Sequence, residues 1–155
     1  MKMSDEPELI TERLNGIAIA TLNRPRALNA LTEAMVVEFG GLLRTWATDA
    51  ATRVVVVKGA GEKGFCAGGD IRKLYDARAT GTVSTDFFRS EYTMNSLIHH
   101  FPKPYVAILN GITMGGGVGI SAPGQYRIAT DRLLWAMPET GIGLFPDVGG
   151  SYFLP

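Results

Sequence analysis

Glycine constrains this chain more than any other residue, because it gathers where apolar runs stop. The β-branched run at residues 54–57 ends at Gly59 and leads into a glycine-dense stretch, 61–70, and the apolar run at 105–109 leads into a second, 111–119. Such runs are the pattern of strands buried on both faces. Glycine-rich loops after them let the backbone turn sharply and approach a neighbour closely.

Around these runs the periodicity alternates between strand and helix. Short apolar runs at 8–13 and 17–22 flank Asn15-Gly16, a pair suited to the two positive-φ positions of a type I′ turn, and predict an antiparallel hairpin. From Thr32, a capping residue, Met35, Phe39, Leu42, Leu43 and Trp46 recur at helical spacing. Thr85 or Asp86 is placed to cap a second helix carrying Phe87, Glu91, Met94, Asn95 and Ile98, which Pro102 and Pro104 stop. A helical stretch through Ile71 and Leu74, a surface loop at 77–85 and brief strands at 126–129 and 133–136 complete the reading. The alternation predicts an α/β layer architecture over residues 1–155, one domain by length. The stretch 141–155 is apolar and turn-rich, with no terminal helix expected.

Composition narrows the function classes. The 15 basic and 15 acidic side chains cancel, so the chain lacks the basic field that nucleic acid or an anionic membrane surface requires. The most apolar stretch, 105–122, is broken by Asn110 and by glycines, which suits a buried strand and loop better than a membrane span. The single cysteine, Cys66, rules out an internal disulfide and fits a reducing compartment. Residues 1–6 carry early acid and no apolar segment, so the cytoplasm is the expected location. No Gly-Lys-Ser or Gly-Lys-Thr follows a glycine run, which excludes a P-loop, and the spacing Gly117, Gly119, Ala122 begins too far past its strand for a dinucleotide fold. His99 and His100 are expected to point apart, with no ligand set at metal spacing. Cys66 reads as a small buried side chain and not as a nucleophile.

Two features remain with chemical potential. The loops Phe65-Cys66-Ala67-Gly68-Gly69-Asp70 and Gly115-Gly116-Gly117-Val118-Gly119 expose backbone N–H groups, and a converging pair of such donors stabilises negative charge developing on a carbonyl oxygen. The same glycines equally serve tight turns and close packing, and the residues alone leave the two readings level. Glu139 and Asp147 sit among apolar and turn residues, where an acid is paired, protonated or used. Taken alone, a capping role is the simpler account of each. Glu91 shares a helical face with Phe87, Met94 and Asn95, and so points inward or stands as a solvated helix acid.

Three ordered motifs carry a resemblance: residues 22–31 (Leu-Asn-Arg-Pro-Arg-Ala-Leu-Asn-Ala-Leu), residues 65–71 (Phe-Cys-Ala-Gly-Gly-Asp-Ile) and residues 110–117 (Asn-Gly-Ile-Thr-Met-Gly-Gly-Gly). Together they resemble the crotonase, or enoyl-CoA hydratase/isomerase, superfamily. The string from Met137-Pro138-Glu139 through Phe145-Pro146-Asp147-Val148-Gly149-Gly150 to Pro155 is similar to the 3-hydroxyisobutyryl-CoA hydrolase branch, which acts in valine breakdown. The resemblance implies a ββα spiral core and trimers in the hydratase branch. It implies Ala67 and Gly116 as the oxyanion donors, Glu139 as the acid–base or nucleophilic carboxylate and Asp147 as a second acid. It further implies acyl contacts from Glu91, Gly116, Glu139 and Asp147, and a coenzyme A region near Arg26, Ala27, Leu28, Gly68, Asp70 and Arg72. The implied partner is an acyl-CoA substrate. Coenzyme A is part of that substrate, and no other cofactor is implied.

Two departures refine the expectation. Hydratases use two glutamates, and the first would fall at Gly119, which has no side chain; one remaining carboxylate suits thioester hydrolysis better than hydration. Family members also run considerably longer, so the core is expected to be incomplete at the C-terminus. Self-association, or a partner chain covering that edge, is expected in consequence. The other readings are an enoyl-CoA hydratase or isomerase, and a non-catalytic CoA-binding fragment or subunit. In a eukaryotic cell the expected compartment is the mitochondrial matrix.

Overall fold

The computed structural model describes residues 6–71, 75 and 85–154. β1 (Leu9–Leu14) and β2 (Ile17–Leu22) form the expected hairpin. Asn15 and Gly16 both take positive φ, 49° and 84°, as the type I′ geometry demands. β3 (Val54–Gly59), β5 (Tyr105–Leu109) and β7 (Tyr126–Ala129) extend this pair into a five-stranded sheet of order β1-β2-β3-β5-β7. Every pairing beyond the hairpin is parallel, which requires the chain to cross over between strands. A second sheet, all parallel, is built from β4 (Gly64–Cys66), β6 (Ile112–Met114) and β8 (Leu134–Ala136) in that order.

Helix α1 (Glu33–Thr48) makes the crossover from β2 to β3. Its cap is the expected one, Thr32 Oγ1 accepting from Met35 N at 3.2 Å. Its far end is closed by Lys103, whose Nζ donates to Trp46 O at 2.5 Å and Asp49 O at 2.7 Å, a cation placed where helix carbonyls lack partners. Helix α2 (Asp86–His99) packs against α1. Thr85 holds its N-cap position but makes no side-chain cap bond, because its backbone is already helical (φ −88°, ψ 0°).

The core lies between these helices and the large sheet, with Leu22, Phe39, Leu43, Val55, Val57, Met94, Ile98 and Tyr105 all buried. Each such apolar side chain contributes roughly 1.5–3 kcal/mol of burial. Tyr105 keeps its hydroxyl satisfied by donating to Ile120 O at 2.8 Å. The 54–57 run is central, as expected, but only alternate valines are fully buried.

Three expectations change. The stretch 111–119 is not a plain loop: it holds β6 and a helical turn, α3 (Gly116–Gly119). The stretch 61–70 likewise conceals β4. Near the C-terminus, Gly150–Phe153 forms a further helical turn, α4, where none was expected. Short strands paired in a three-strand sheet carry too few residues to show a period. Leu74 and residues 77–84 of the expected loop lie outside the described residues.

No helix among the described residues is long and apolar enough to cross a membrane. β7 is exposed along its whole length, and Tyr126, Ile128, Leu134, Ile142, Phe145 and Tyr152 all present apolar surface to solvent. Soluble monomers seldom leave much of this uncovered. Self-association is the expected outcome, seen as a mass above one chain in size-exclusion chromatography with light scattering. A strictly monomeric, sharply melting species would contradict it.

Candidate active site

The site begins with a contact between two backbones. In the β4–β6 pair Gly64 lies opposite Ile112 and Cys66 opposite Thr113, which sets the turns after the two strands side by side. No Cβ fits between them: one built on Gly117 would collide with the Cys66 carbonyl, and one on Gly116 would stand 2.5 Å from Glu91 Oε1 and 3.3 Å from Gly69 N. Asn29, fully buried, ties its own segment to the chain that enters β4. Its Nδ2 donates to Ala60 O and Gly64 O at 2.9 Å, and its Oδ1 accepts from Arg24 N at 3.0 Å.

Backbone bonding decides which N–H groups are free to act. Ala67 N–H donates to Leu28 O at 3.0 Å, so it is committed within the fold and its expected place as an oxyanion donor is corrected. Leu31 N donates to Gly68 O and Asp70 N to Leu31 O, both at 2.8 Å. The N–H between them, that of Gly69, takes no part in this pairing and lies on the Gly116 side. Gly116 N opens α3, where first-turn N–H groups have no partner within the helix.

Three acids approach this point. Glu91 comes from α2 and is 2% exposed, with no hydrogen-bond partner for Oε1 among the described residues. Burial, reinforced by Asp147 and Glu139, pushes its carboxyl up to about 8. Glu139 opens a 3₁₀ turn, Glu139–Ile142, is 7% exposed, and has no partner for Oε2 among the described residues. A Cβ on Gly115 would stand 2.9 Å from its Oε1. Burial, and secondarily Asp147, raises its carboxyl above the usual range. Asp147 is half-buried, and its Oδ2 accepts from Tyr92 Oη at 2.6 Å. Buried acids with raised pKa and unpartnered oxygens mark a functional site.

A cavity of about 770 Å³ gathers these groups, its lining including Ala27, Ala67, Gly68, Gly69, Asp70, Glu91, Gly116, Glu139 and Asp147. Arg26 is exposed and, like Leu28, is not on that lining. Arg72 lies outside the described residues. Arg24, Phe87 and Phe88 also line the cavity; Phe87 is read from the sequence only as part of a helical face, and Arg24 and Phe88 carry no site reading there. The Arg24 guanidinium donates to Ala30 O at 2.6 Å and Asp70 Oδ2 at 2.9 Å, and pairs with Glu8 Oε1 at 3.1 Å. Cys66 is fully buried and its thiol is pushed up to about 12 by that burial, as suits an inert side chain. His99 and His100 do not point fully apart: their rings meet edge to face at 4.8 Å.

Position 119 is closed as well as bare. A Cβ on Gly119 would stand 2.7 Å from Val148 Cβ and 2.9 Å from Asn95 Nδ2. Val148 is buried and sits at φ 43°, a conformation costly for a β-branched residue.

With this geometry in view, known proteins provide a frame. The sequence pattern of the enoyl-CoA hydratase/isomerase family matches residues 17–155. Proteins named 3-hydroxyisobutyryl-CoA hydrolase, mitochondrial, are similar: that of Danio rerio is 56% identical across 96% of this chain and 39% of its own length, and that of Rattus norvegicus 54% across 99% and 40%. This chain therefore spans about two fifths of the curated relatives it matches. A solved carnitinyl-CoA dehydratase from Mycobacterium thermoresistibile superposes with a TM-score of 0.92 at 46% identity, over 96% of this chain and 44% of that one. An enoyl-CoA hydratase from Bacillus anthracis superposes with a TM-score of 0.85 at 29% identity, over 96% and 57%. The crotonase-like α/β fold expected from the motifs is thus present. Matched in pattern from residue 17 onward and above half identity to relatives along nearly its whole length, this chain belongs to the enoyl-CoA hydratase/isomerase family.

Proposed function

We propose that this chain carries the reacting centre of a CoA-thioester hydrolase acting on 3-hydroxyisobutyryl-CoA or a close 3-hydroxyacyl-CoA. The observation that supports it is the meeting of two unpartnered buried carboxylates, Glu91 and Glu139, with the Gly69–Gly116 backbone in one cavity, while position 119 offers none. The names of the relatives support the acyl group.

In this reading the thioester oxygen accepts from Gly69 N–H and Gly116 N–H, which stabilise the charge that develops on it. Glu139 then either attacks the carbonyl carbon, giving an anhydride that water splits, or takes a proton from the attacking water. Either way one water is consumed, the C–S bond breaks, and coenzyme A leaves as free thiol beside the acid. Glu91, protonated near neutrality, donates toward the acyl group, and Asp147 accepts from its 3-hydroxyl. No further cofactor enters this scheme. The buried free Cys66 suits a reducing compartment, cytoplasm or mitochondrial matrix.

Hydration of an enoyl thioester fits less well, because the second carboxylate is missing and Val148 fills its room. The purified chain is expected to release thiol from 3-hydroxyisobutyryl-CoA, and Glu139→Gln to lower that rate by at least about 10². A coupled thiol assay reads it. Crotonyl-CoA hydration without thiol release would overturn the assignment, and acyl-CoA binding without turnover would favour a binding subunit.

A second prediction concerns pH. In the unfolded chain Glu91 ionises near its ordinary 4.5, but in the fold it keeps its proton to about 8. The folded state therefore holds an extra proton across that window, and stability falls as pH rises through it, then levels. Glu139, also raised, acts in the same direction. Thermal melts are expected to fall across this interval and Glu91→Gln to flatten the slope; melts indifferent to pH would show that Glu91 ionises freely in the fold.

A further inference from the structure

The hydrolase reading assigns the 3-hydroxyl to Asp147, yet Asp147 stands on a segment with little regular structure, just before Val148 at φ 43° and Gly149 at φ 91°. Its side chain is tied to α2 by Tyr92, whose phenol donates to Oδ2 at 2.6 Å. Tyr92 follows Glu91, and one residue turns a helix by about 100°. Glu91 therefore faces the site cavity while Tyr92 does not. Tyr92 instead lines three neighbouring cavities, of about 420, about 650 and about 770 Å³, and Asp147 lines the smallest and the largest of these as well as the site cavity. The phenol thus reaches the carboxyl from behind. Its ring is braced by Phe88, with centroids 6.1 Å apart, and Phe88 also lines the site cavity. Burial and the bond to Asp147 raise the phenol's ionisation above its ordinary range, so the hydroxyl stays a donor.

We propose that Tyr92 is a positioning residue for acyl recognition: by occupying Oδ2 it turns the other oxygen of Asp147 toward the cavity, as acceptor for the substrate's 3-hydroxyl. The inference rests on the hydrolase reading. Tyr92 reaches the ligand only through Asp147, so it acts on acyl groups that carry the hydroxyl and has little effect on those that lack it. A residue serving packing alone would not discriminate between them.

Calorimetric binding of two non-hydrolysable CoA thioethers, one bearing a 3-hydroxyisobutyl arm and one the same arm without its hydroxyl, tests this. Wild type is expected to prefer the hydroxylated compound, and Tyr92→Phe to weaken that compound roughly tenfold, about the worth of one hydrogen bond, while weakening the other much less. In an Asp147→Asn background, adding Tyr92→Phe is expected to change the hydroxyl preference no further. Equal weakening of both compounds, an unaltered preference in Tyr92→Phe, or additive effects in the double variant would each sink the inference. If Tyr92→Phe fails to melt cooperatively, the pair is read in Tyr92→Trp, which keeps a ring and removes the hydroxyl, with the same outcomes deciding. A wild-type chain indifferent to the hydroxyl overturns the hydrolase reading and this inference with it, whereas a preference that survives loss of the phenol overturns the inference alone.

Discussion

The site depends on one contact, the packing of the Gly116–Gly117 backbone against the turn after β4. A side chain at either position would meet Cys66 O or Glu91 Oε1, so the absence of two Cβ atoms lets the strands carry their turns this close. Under the hydrolase reading the contact also delivers the chemistry, because what remains between the turns is backbone N–H. Asn29 stiffens the approach to β4. Its buried amide bonds three backbone groups at once, and losing such a network leaves several buried polar groups without partners together.

Against that rigid floor stand acids that folding alone would disfavour. Glu91 Oε1 and Glu139 Oε2 are buried without a hydrogen-bond partner among the described residues, and so are both amide atoms of Asn95. The packing of α1 against α2, within one core shared with the large sheet, offsets this, and stability and chemistry share one face of α2 at successive turns. Met94 and Ile98 point to the core and Glu91 to the cavity. Function is thereby concentrated in a few strained or unsatisfied positions held by an otherwise ordinary core.

Local rules made much of the framework legible. Asn15-Gly16, Thr32 and the apolar faces of the helices acted through neighbours in sequence, and each formed where its spacing indicated. The site was legible as residue types more than as atoms. The glycine loop after β4 offered a backbone donor as one of two level readings, and which N–H is left out of the local pairing depends on the Leu28 and Leu31 main chains, far back in the sequence. Tyr92 was passed over because it falls off the inward face of its helix. Its partner arrives from residue 147, and no periodicity records that meeting. Arg24 was missed for a related reason: its three partners are drawn from Glu8, Ala30 and Asp70, and only the closed fold brings them together.

Val148 bears on the choice of reaction in a way that motif reading alone does not reach. The lack of a side chain at 119 suggests an empty place, and an empty place in a cavity would admit water or tolerate a new acid. The structure has no such vacancy, since Val148 fills it in a backbone conformation that valine seldom adopts. The strained valine sits between Asp147, which Tyr92 holds, and Gly149, which turns at φ 91°. Positions 119 and 148 therefore form one steric unit. A carboxylate added at 119 displaces Val148, and displacing Val148 disturbs the neighbouring Asp147. Under the hydrolase reading, the feature that withholds a second carboxylate and the feature that presents the acid for the acyl hydroxyl are adjacent residues of one strained turn, so neither changes without the other.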